Sequence, residues 1–130
     1  MKDFDNWNIE KKNIENVGHE TLLFHEREIW WCSIGLNIGD EQDGKNELYE
    51  RPVLILKKFN NKLAWVLPMT TKHKEGIYYY PLSYKGKTFS VILSQLRLVS
   101  TKRFHRLVRK ISPHQFEGIQ NKLVGLIKKD

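Results

Sequence analysis

The chain has 130 residues, of which 40% are hydrophobic and 12% aromatic, which is enough for one domain with its own core and leaves no room for a second. Its 22 Lys and Arg residues against 15 Asp and Glu leave a formal charge of +7, which favours a polyanionic partner such as nucleic acid, or an acidic protein, with solubility as the alternative explanation. No apolar run approaches the roughly 18 residues of a membrane span and the N-terminus lacks the form of a signal peptide, so we expect a cytoplasmic protein with no membrane partner.

The first predicted element is a short helix over residues 3–16, with Asp3 suited to cap its first turn. Apolar side chains recur there at helical spacing: Phe4, Trp7 and Ile14. We treat residues 1–26 as an N-terminal helical extension and residues 27–130 as the main domain.

A strand is predicted over residues 28–34, which are apolar on both faces when read with a period of two. Trp30 and Trp31 then point to opposite sides, one into the core and the other under a helix or against another chain. Cys32 lies in the same apolar run and is expected to be a small core residue rather than a nucleophile. As the sole cysteine of the chain, it excludes an internal disulfide and fits a reducing compartment.

A Gly-bounded acidic loop, residues 39–44, leads through a polar run to a strand that begins at Arg51. Pro52 stands at the start of this strand, where a missing N–H costs least. Arg51 would thereby bring one permanently charged guanidinium to the rim of a sheet. The alternative is an ordinary exposed cation at a strand end.

Turn signals divide the middle of the chain into short strands. Asn60-Asn61 predicts a hairpin between a strand over residues 53–59 and another over residues 62–69. Tyrosines and a β-branched residue favour a further strand over residues 77–82. Short strands at such intervals are typical of a small, strongly bent sheet or barrel rather than of a parallel sheet with crossover helices.

Two elements end the chain. From Gln95, polar and apolar residues alternate, which predicts a strand with Gln95 and Arg97 on its outward face. The inward face then carries Leu96 and Leu98. Ser112-Pro113 marks the start of a helix. The apolar face of that helix is formed by Phe116, Ile119, Leu123 and Leu126.

Four segments carry a resemblance to a known family. They are Ile29-Trp30-Trp31; Gly39-Asp40-Glu41-Gln42 followed by Arg51-Pro52-Val53-Leu54-Ile55; Leu67-Pro68-Met69-Thr70-Thr71; and Ile92-Leu93-Ser94-Gln95-Leu96-Arg97. In order and spacing they resemble the first strand, the Gly-x-Glu-Gln loop with its Arg-Pro strand, the strand ending in a catalytic threonine, and the late Gln-apolar-basic strand of the PemK/MazF toxin endoribonucleases. The similarity spans roughly Arg27 to the last helix.

The resemblance implies a mainly β fold, an SH3-like small barrel with a C-terminal helix, to which this chain adds its N-terminal helical appendage. It also implies a homodimer, inhibition by a cognate antitoxin with an acidic C-terminal segment, and metal-independent cleavage of single-stranded RNA. The chain departs from the family at three points: Arg27-Glu28 replaces the usual Gly-Asp, Lys45–Glu50 lengthen the loop, and residues 1–26 lie outside the shared core.

By the same resemblance Arg51 and Thr70 form the catalytic pair, and Glu41 is the acid of the loop. Metal-independent cleavage needs groups that neutralise charge on the phosphate oxygens, for which a guanidinium offers parallel donors and a hydroxyl adds a neutral one. The alternatives are a structural strand threonine at Thr70 and a solvated loop residue at Glu41.

Candidate RNA-binding residues surround this pair: Gln42, Thr71, Lys72, His73, Gln95 and Arg97. Thr71 would replace Thr70 if the strand register slipped by one, since neighbouring strand residues face opposite ways. His73 has a pKa suited to general-base work, with a solvated turn residue as the alternative. A phosphate-binding track is suggested by Lys72, Lys74, Lys102, Arg103, Arg106 and Arg109. No His, Cys, Asp and Glu set has metal-ligand spacing, so we expect no metal and no cofactor.

Three functions fit these features. The first is a sequence-selective endoribonuclease toxin that leaves a 2′,3′-cyclic phosphate and a 5′-hydroxyl. The second is a non-catalytic SH3-like module that binds RNA or a protein strand, which needs only the basic face and the fold. The third is a toxin on a related barrel that poisons gyrase, and it ranks last because Arg51 and Thr70 match the nuclease pattern.

Overall fold

The computed structural model describes residues 1–17 and 22–128. This described part contains two α-helices and seven β-strands. They are, in chain order, α1 (Phe4–Asn16), β1 (Glu28–Ser33), β2 (Glu50–Lys58), β3 (Leu63–Thr70), β4 (Tyr79–Tyr84), β5 (Lys87–Ile92), β6 (Arg97–Ser100), β7 (Phe104–Lys110) and α2 (Pro113–Lys128). Residues 18–21, which fall within the predicted N-terminal extension, and residues 129–130 lie outside the description.

The strands form an antiparallel sheet with neighbours in the order β4-β5-β3-β2-β1-β7, and β6 pairs with β3. Because β4 and β7 stand at the two ends of this order, the sheet is not closed. The predicted mainly β fold with an N-terminal and a C-terminal helix is confirmed, and its small SH3-like barrel is present as an open, barrel-like sheet.

Both faces of β1 and β2 are buried, which the apolar run of residues 28–34 had predicted for β1. Along β2, Leu54 and Leu56 belong to a cluster that α2 covers with Phe116 and Ile119. The alternating residues of β2 face a second cluster: Phe24, Trp30, Cys32, Val53, Ile55 and Phe104 are among its members. The rigid two-sided core therefore fixes where each end of β2 and β3 lies.

Cys32 is fully buried in this second cluster, and desolvation raises the pKa of its thiol to about 12. The thiol is thus protonated at neutral pH, and the prediction of a core cysteine is confirmed. Trp30 is also buried, whereas Trp31 is half-buried with the Arg106 guanidinium 4.8 Å from its ring centroid. The two tryptophans therefore point to opposite sides, as expected.

The predicted hairpin is formed by β2 and β3.

The prediction for the late strand is wrong about which of its residues face the core. Leu93–Gln95 form a 3₁₀ turn, so the strand starts only at Arg97. Leu98 is 53% exposed and Val99 is buried, the reverse of the predicted alternation. The 3₁₀ turn rotates the chain before β6, and a period-two reading through such a turn assigns the faces incorrectly.

Helix α1 packs on the loop that follows β1. Asp3 caps it by accepting from the Asn6 amide at 3.1 Å, and Trp7 and Ile14 are buried. The Trp7 ring lies 5.3 Å from that of Tyr49 and covers Gly35, where an added Cβ would come within 2.1 Å of the indole. At the other end of the helix, Lys102 Nζ donates to the Glu15 carbonyl at 2.9 Å.

We predict that Trp7→Ala lowers the free energy of unfolding by about 3 kcal/mol, because it removes a large buried side chain and leaves a cavity over Gly35. The matched control on the same helix is Ile9→Ala, whose side chain is 58% exposed and whose loss should cost less than about 1 kcal/mol. Urea denaturation followed by circular dichroism measures both. Equal effects of the two variants would contradict the packing described for α1.

No helix in the described residues is long and apolar enough to cross a membrane.

Candidate active site

Arg51 and Thr70 lie on neighbouring strands and line the same cleft of about 310 Å³. Because β2 and β3 are antiparallel, the start of β2 stands beside the end of β3. Each of the two residues is only 8% exposed, so both side chains are held by the protein rather than free in solvent. The remaining lining residues are Asp40, Gln42, Lys45, Lys72, Lys74, Tyr79, Ile92, Ser94 and Gln95.

The Arg51 guanidinium is oriented by two backbone carbonyls. Its Nε donates to the Asp43 carbonyl at 2.7 Å and its Nη1 to the Met69 carbonyl at 3.2 Å. Burial lowers the pKa of Arg51, while the Asp43 carboxylate raises it. A guanidinium stays charged at neutral pH even so, and Arg51 lines the cleft with more N–H groups than these two carbonyls accept from.

Gln42 connects the acidic loop to Arg51 on β2. With its oxygen turned towards the guanidinium, its side-chain amide accepts from Arg51 Nη2 at 2.7 Å. The backbone amide of Gln42 donates to Gln95 Oε1 at 3.1 Å, and Gln95 Nε2 donates to the Asp40 carbonyl at 3.3 Å. The loop is therefore bonded to the 3₁₀ turn by residues that line the cleft.

Among residues 1–17 and 22–128, the Thr70 hydroxyl donates to no acceptor. Its Oγ1 accepts from the Lys72 amide at 3.3 Å, which occupies a lone pair and leaves the O–H proton for another acceptor. The Met69 carbonyl, one residue earlier, holds the guanidinium, so the same strand end carries the hydroxyl and fixes the cation. A phosphate in the cleft would meet both a charged and a neutral donor.

Three lysines add positive charge around the cleft: Lys45, Lys72 and Lys74. Lys45 comes from the segment that lengthens the loop, which is closed into a compact turn by paired backbone bonds between Lys45 and Glu50 of 2.8 and 2.9 Å. The sequence marked this insertion only as a departure from the family, and Lys45 was missed. Also missed were Asp40 and Ser94, for which no local signal separates a lining residue from a surface one.

A second cleft of about 440 Å³ adjoins the first and shares Gln42, Ser94 and Gln95 with it. Glu41 and Arg97 line this second cleft. Glu41 Oε1 accepts from the Ile38 amide at 2.8 Å, and Arg97 Nη1 donates to the Ile34 carbonyl at 3.1 Å. The two clefts together form a groove that runs across the loop and the 3₁₀ turn.

Other predicted site residues lie elsewhere. Thr71 lines a different, apolar cleft of about 190 Å³ together with Trp31 and Val108. His73 is exposed, and its Nε2 contacts Glu75 at 3.0 Å. The structure does not bring either of them to Arg51.

The predicted phosphate track is also split. Lys72 and Lys74 line the first cleft, whereas Arg103 donates to the Ser33 carbonyl at 3.0 Å and Arg106 pairs with the buried Glu50 at 3.1 Å. Lys102 lies against α1. In the described part of the chain, no group of three or more His, Cys, Asp or Glu side chains is arranged to hold a metal ion.

Comparison with solved structures identifies the fold. MazF from Deinococcus radiodurans (Form-I) superposes with a TM-score of 0.69 at 20% identity, covering 82% of this chain and 97% of that one. The MazE–MazF structure from the same organism gives 0.65 at 16%, covering 84% and 99%. An endoribonuclease from Mycobacterial species, solved with its cognate antitoxin, gives 0.64 at 11%, covering 83% and 98%.

Comparison with protein families identifies the chain. No curated protein matches it significantly in sequence. Residues 25–127 match the family described as "PemK-like, MazF-like toxin of type II toxin-antitoxin system". The match covers the sheet, all of α2 except its last residue and every residue of the cleft, and leaves out α1. The chain therefore belongs to the PemK-like, MazF-like toxins of type II toxin–antitoxin systems.

Proposed function

We propose that this toxin is a cytoplasmic, metal-independent and sequence-selective endoribonuclease that cleaves single-stranded RNA. The observation that carries the proposal is the convergence of Arg51 and Thr70 on one cleft, which the two residues line with a guanidinium and a hydroxyl. Pre-oriented donors of this kind stabilise charge that develops on a phosphate during reaction.

The reaction uses the hydroxyl of the RNA itself. The 2′-hydroxyl loses its proton and its oxygen attacks phosphorus, while the bond from phosphorus to the 5′-oxygen breaks and that oxygen takes up a proton, which gives a 2′,3′-cyclic phosphate and a 5′-hydroxyl. Arg51 and Thr70 would bind the non-bridging oxygens, whose charge grows as the fifth bond to phosphorus forms. We propose that the Glu41 carboxylate exchanges protons with the reacting oxygens of the substrate. Asp40, which lines the same cleft as Arg51, is the alternative for this role.

The groove explains how more than one nucleotide is held. A strand whose scissile phosphate sits on Arg51 would continue into the adjoining cleft, where Gln95 and Arg97 are available to bind bases or phosphates. Lys72 and Lys74 would neutralise phosphates on the near side. Gln42 stands between the two clefts and is the residue we propose for reading the base beside the cleaved bond.

Two protein partners accompany this proposal. A cognate antitoxin with an acidic segment suits a groove lined by three lysines and Arg51, and two of the similar solved structures contain an antitoxin or MazE. A second copy of the chain suits the opposite side of the sheet, where the apolar cleft adjoins the edge strand β7 and Val108 is 47% exposed. We therefore propose a homodimer with the grooves left open.

We predict that the purified protein cuts a labelled single-stranded RNA in the presence of EDTA, and that the same oligonucleotide made of DNA stays intact because it lacks the 2′-hydroxyl. A substrate with one 2′-deoxy nucleotide at the mapped cut site is the sharper control, since it removes only the proposed nucleophile. Denaturing gels and end-group analysis measure the products. Intact RNA in EDTA would refute the proposal, and binding without new fragments would favour the non-catalytic module.

A further inference from the structure

We propose that the N-terminal segment, which lies outside the family match, is a clamp that holds the loop of residues 37–43 against Arg51, with Lys2 as its positioning residue. Lys2 Nζ donates to the Asn37 carbonyl at 2.6 Å and to the Gly39 carbonyl at 3.1 Å. It also forms an ion pair with the Asp43 carboxylate at 2.9 Å.

Asp43 connects this clamp to the guanidinium. Its carboxylate binds Lys2 and accepts from the Asn37 amide at 2.7 Å, which closes the loop on itself. Its carbonyl accepts from Arg51 Nε at 2.7 Å. Asp43 therefore binds Lys2 through its side chain and the proposed catalytic Arg51 through its backbone. The preceding residue, Gln42, contacts the same guanidinium.

The clamp is itself anchored. Trp7 is buried between Gly35 and Tyr49, which flank the loop, and Lys102 holds the far end of α1. Lys2 stands next to the Asp3 cap, so the packing of α1 sets where its side chain can reach. Because the loop is polar and mostly exposed, it has little core of its own to order it, and contacts from outside must do so.

The consequence for the proposed nuclease is a preorganised groove. A loop that is already ordered loses less conformational entropy when RNA binds. Loss of the clamp should therefore mainly raise KM. The Lys2 side chain is 28% exposed, and the bonds that it makes are charge-assisted, so we expect Lys2→Met to lower kcat/KM about fivefold to twentyfold.

The experiment compares Lys2→Met with Lys2→Arg and with Lys11→Met in the full chain. Lys2→Arg keeps the cation and should retain most of the ordering, whereas Lys11→Met removes the same charge from α1 at an exposed position away from the loop. Hydrogen exchange of the amides of residues 37–44 is measured without RNA. We expect Lys2→Met to exchange at least about fivefold faster than Lys11→Met, with unchanged exchange in β2 and β3.

Equal exchange in Lys2→Met and Lys11→Met would overturn the clamp. Faster exchange with an unchanged KM would overturn the positioning of the active site. The kinetic part rests on the proposed function, and the exchange part does not. A protein that fails to cut RNA at all would thus refute the nuclease while leaving the clamp to be decided by exchange.

Discussion

Arg51→Lys is expected to lower kcat/KM for RNA cleavage about 100- to 1,000-fold, the loss that follows removal of one well-placed donor to a developing oxyanion. Arg51 donates through Nε and Nη1 to the carbonyls of Asp43 and Met69 and through Nη2 to Gln42, which leaves the remaining N–H groups of its two outer nitrogens for the substrate. A lysine ammonium is a single point of charge on a flexible stem, and it cannot bind both carbonyls and present a planar pair of donors at once. Initial-rate measurements on a labelled RNA check this.

The control for this substitution is Arg109→Lys. Arg109 lies over the Tyr84 ring at 4.2 Å and lines the apolar cleft on the other side of the sheet, so its replacement should leave cleavage within about twofold of the parent. Since Arg51 is buried, the unfolding midpoint of each variant is measured beside its activity. If folded Arg51→Lys cut RNA as fast as Arg109→Lys, Arg51 would have no role in the reaction.

Thr70→Val is expected to reduce kcat about 100-fold, because it removes the hydroxyl proton and keeps the shape of the side chain. The Lys72 amide, which donates to Oγ1 at 3.3 Å, belongs to an exposed residue and can bond to water instead, so the fold should tolerate the change. Thr70→Ser retains the hydroxyl and should restore most of the rate. A loss in kcat with little change in KM marks an interaction made in the transition state.

Thr71→Val is the matched control for this second substitution. Thr71 follows Thr70 directly, but its side chain lines the apolar cleft with Trp31 and Val108. Its valine variant should cut RNA at the parent rate. The reverse result, with Thr71→Val inactive and Thr70→Val active, would show that Thr71 rather than Thr70 takes part in the reaction.

Much of the fold could be predicted because its signals are local. The apolar run of β1 indicated a strand buried on both faces, Asn60-Asn61 indicated the hairpin, and Ser112-Pro113 indicated the start of α2. The late strand was assigned the wrong phase because the 3₁₀ turn at Leu93–Gln95 leaves no distinct mark in an alternating polar and apolar sequence.

Residues of the candidate site could be predicted only where they belong to a sequence motif. Arg51, Thr70 and Gln42 stand in segments with the order and spacing of the family, and all three line one cleft. His73 was proposed from its nearness in sequence, yet its side chain turns to Glu75 in solvent. Lys45 was missed because an inserted turn has no motif, and its position depends on how the loop closes.

By itself the sequence determined the two helices and most of the strands, though not β7, because alternation, capping and turn chemistry act between residues close together in the chain. The residues at the two strand ends, Arg51 and Thr70, were identified by the resemblance of their segments to the family. Only the tertiary structure decided that Gln95 bonds to Gln42 and that Lys2 holds Asp43. These contacts join residues 53 and 41 positions apart. No local pattern records such pairs, since they form only after the two-sided core has set where the ends of its strands lie.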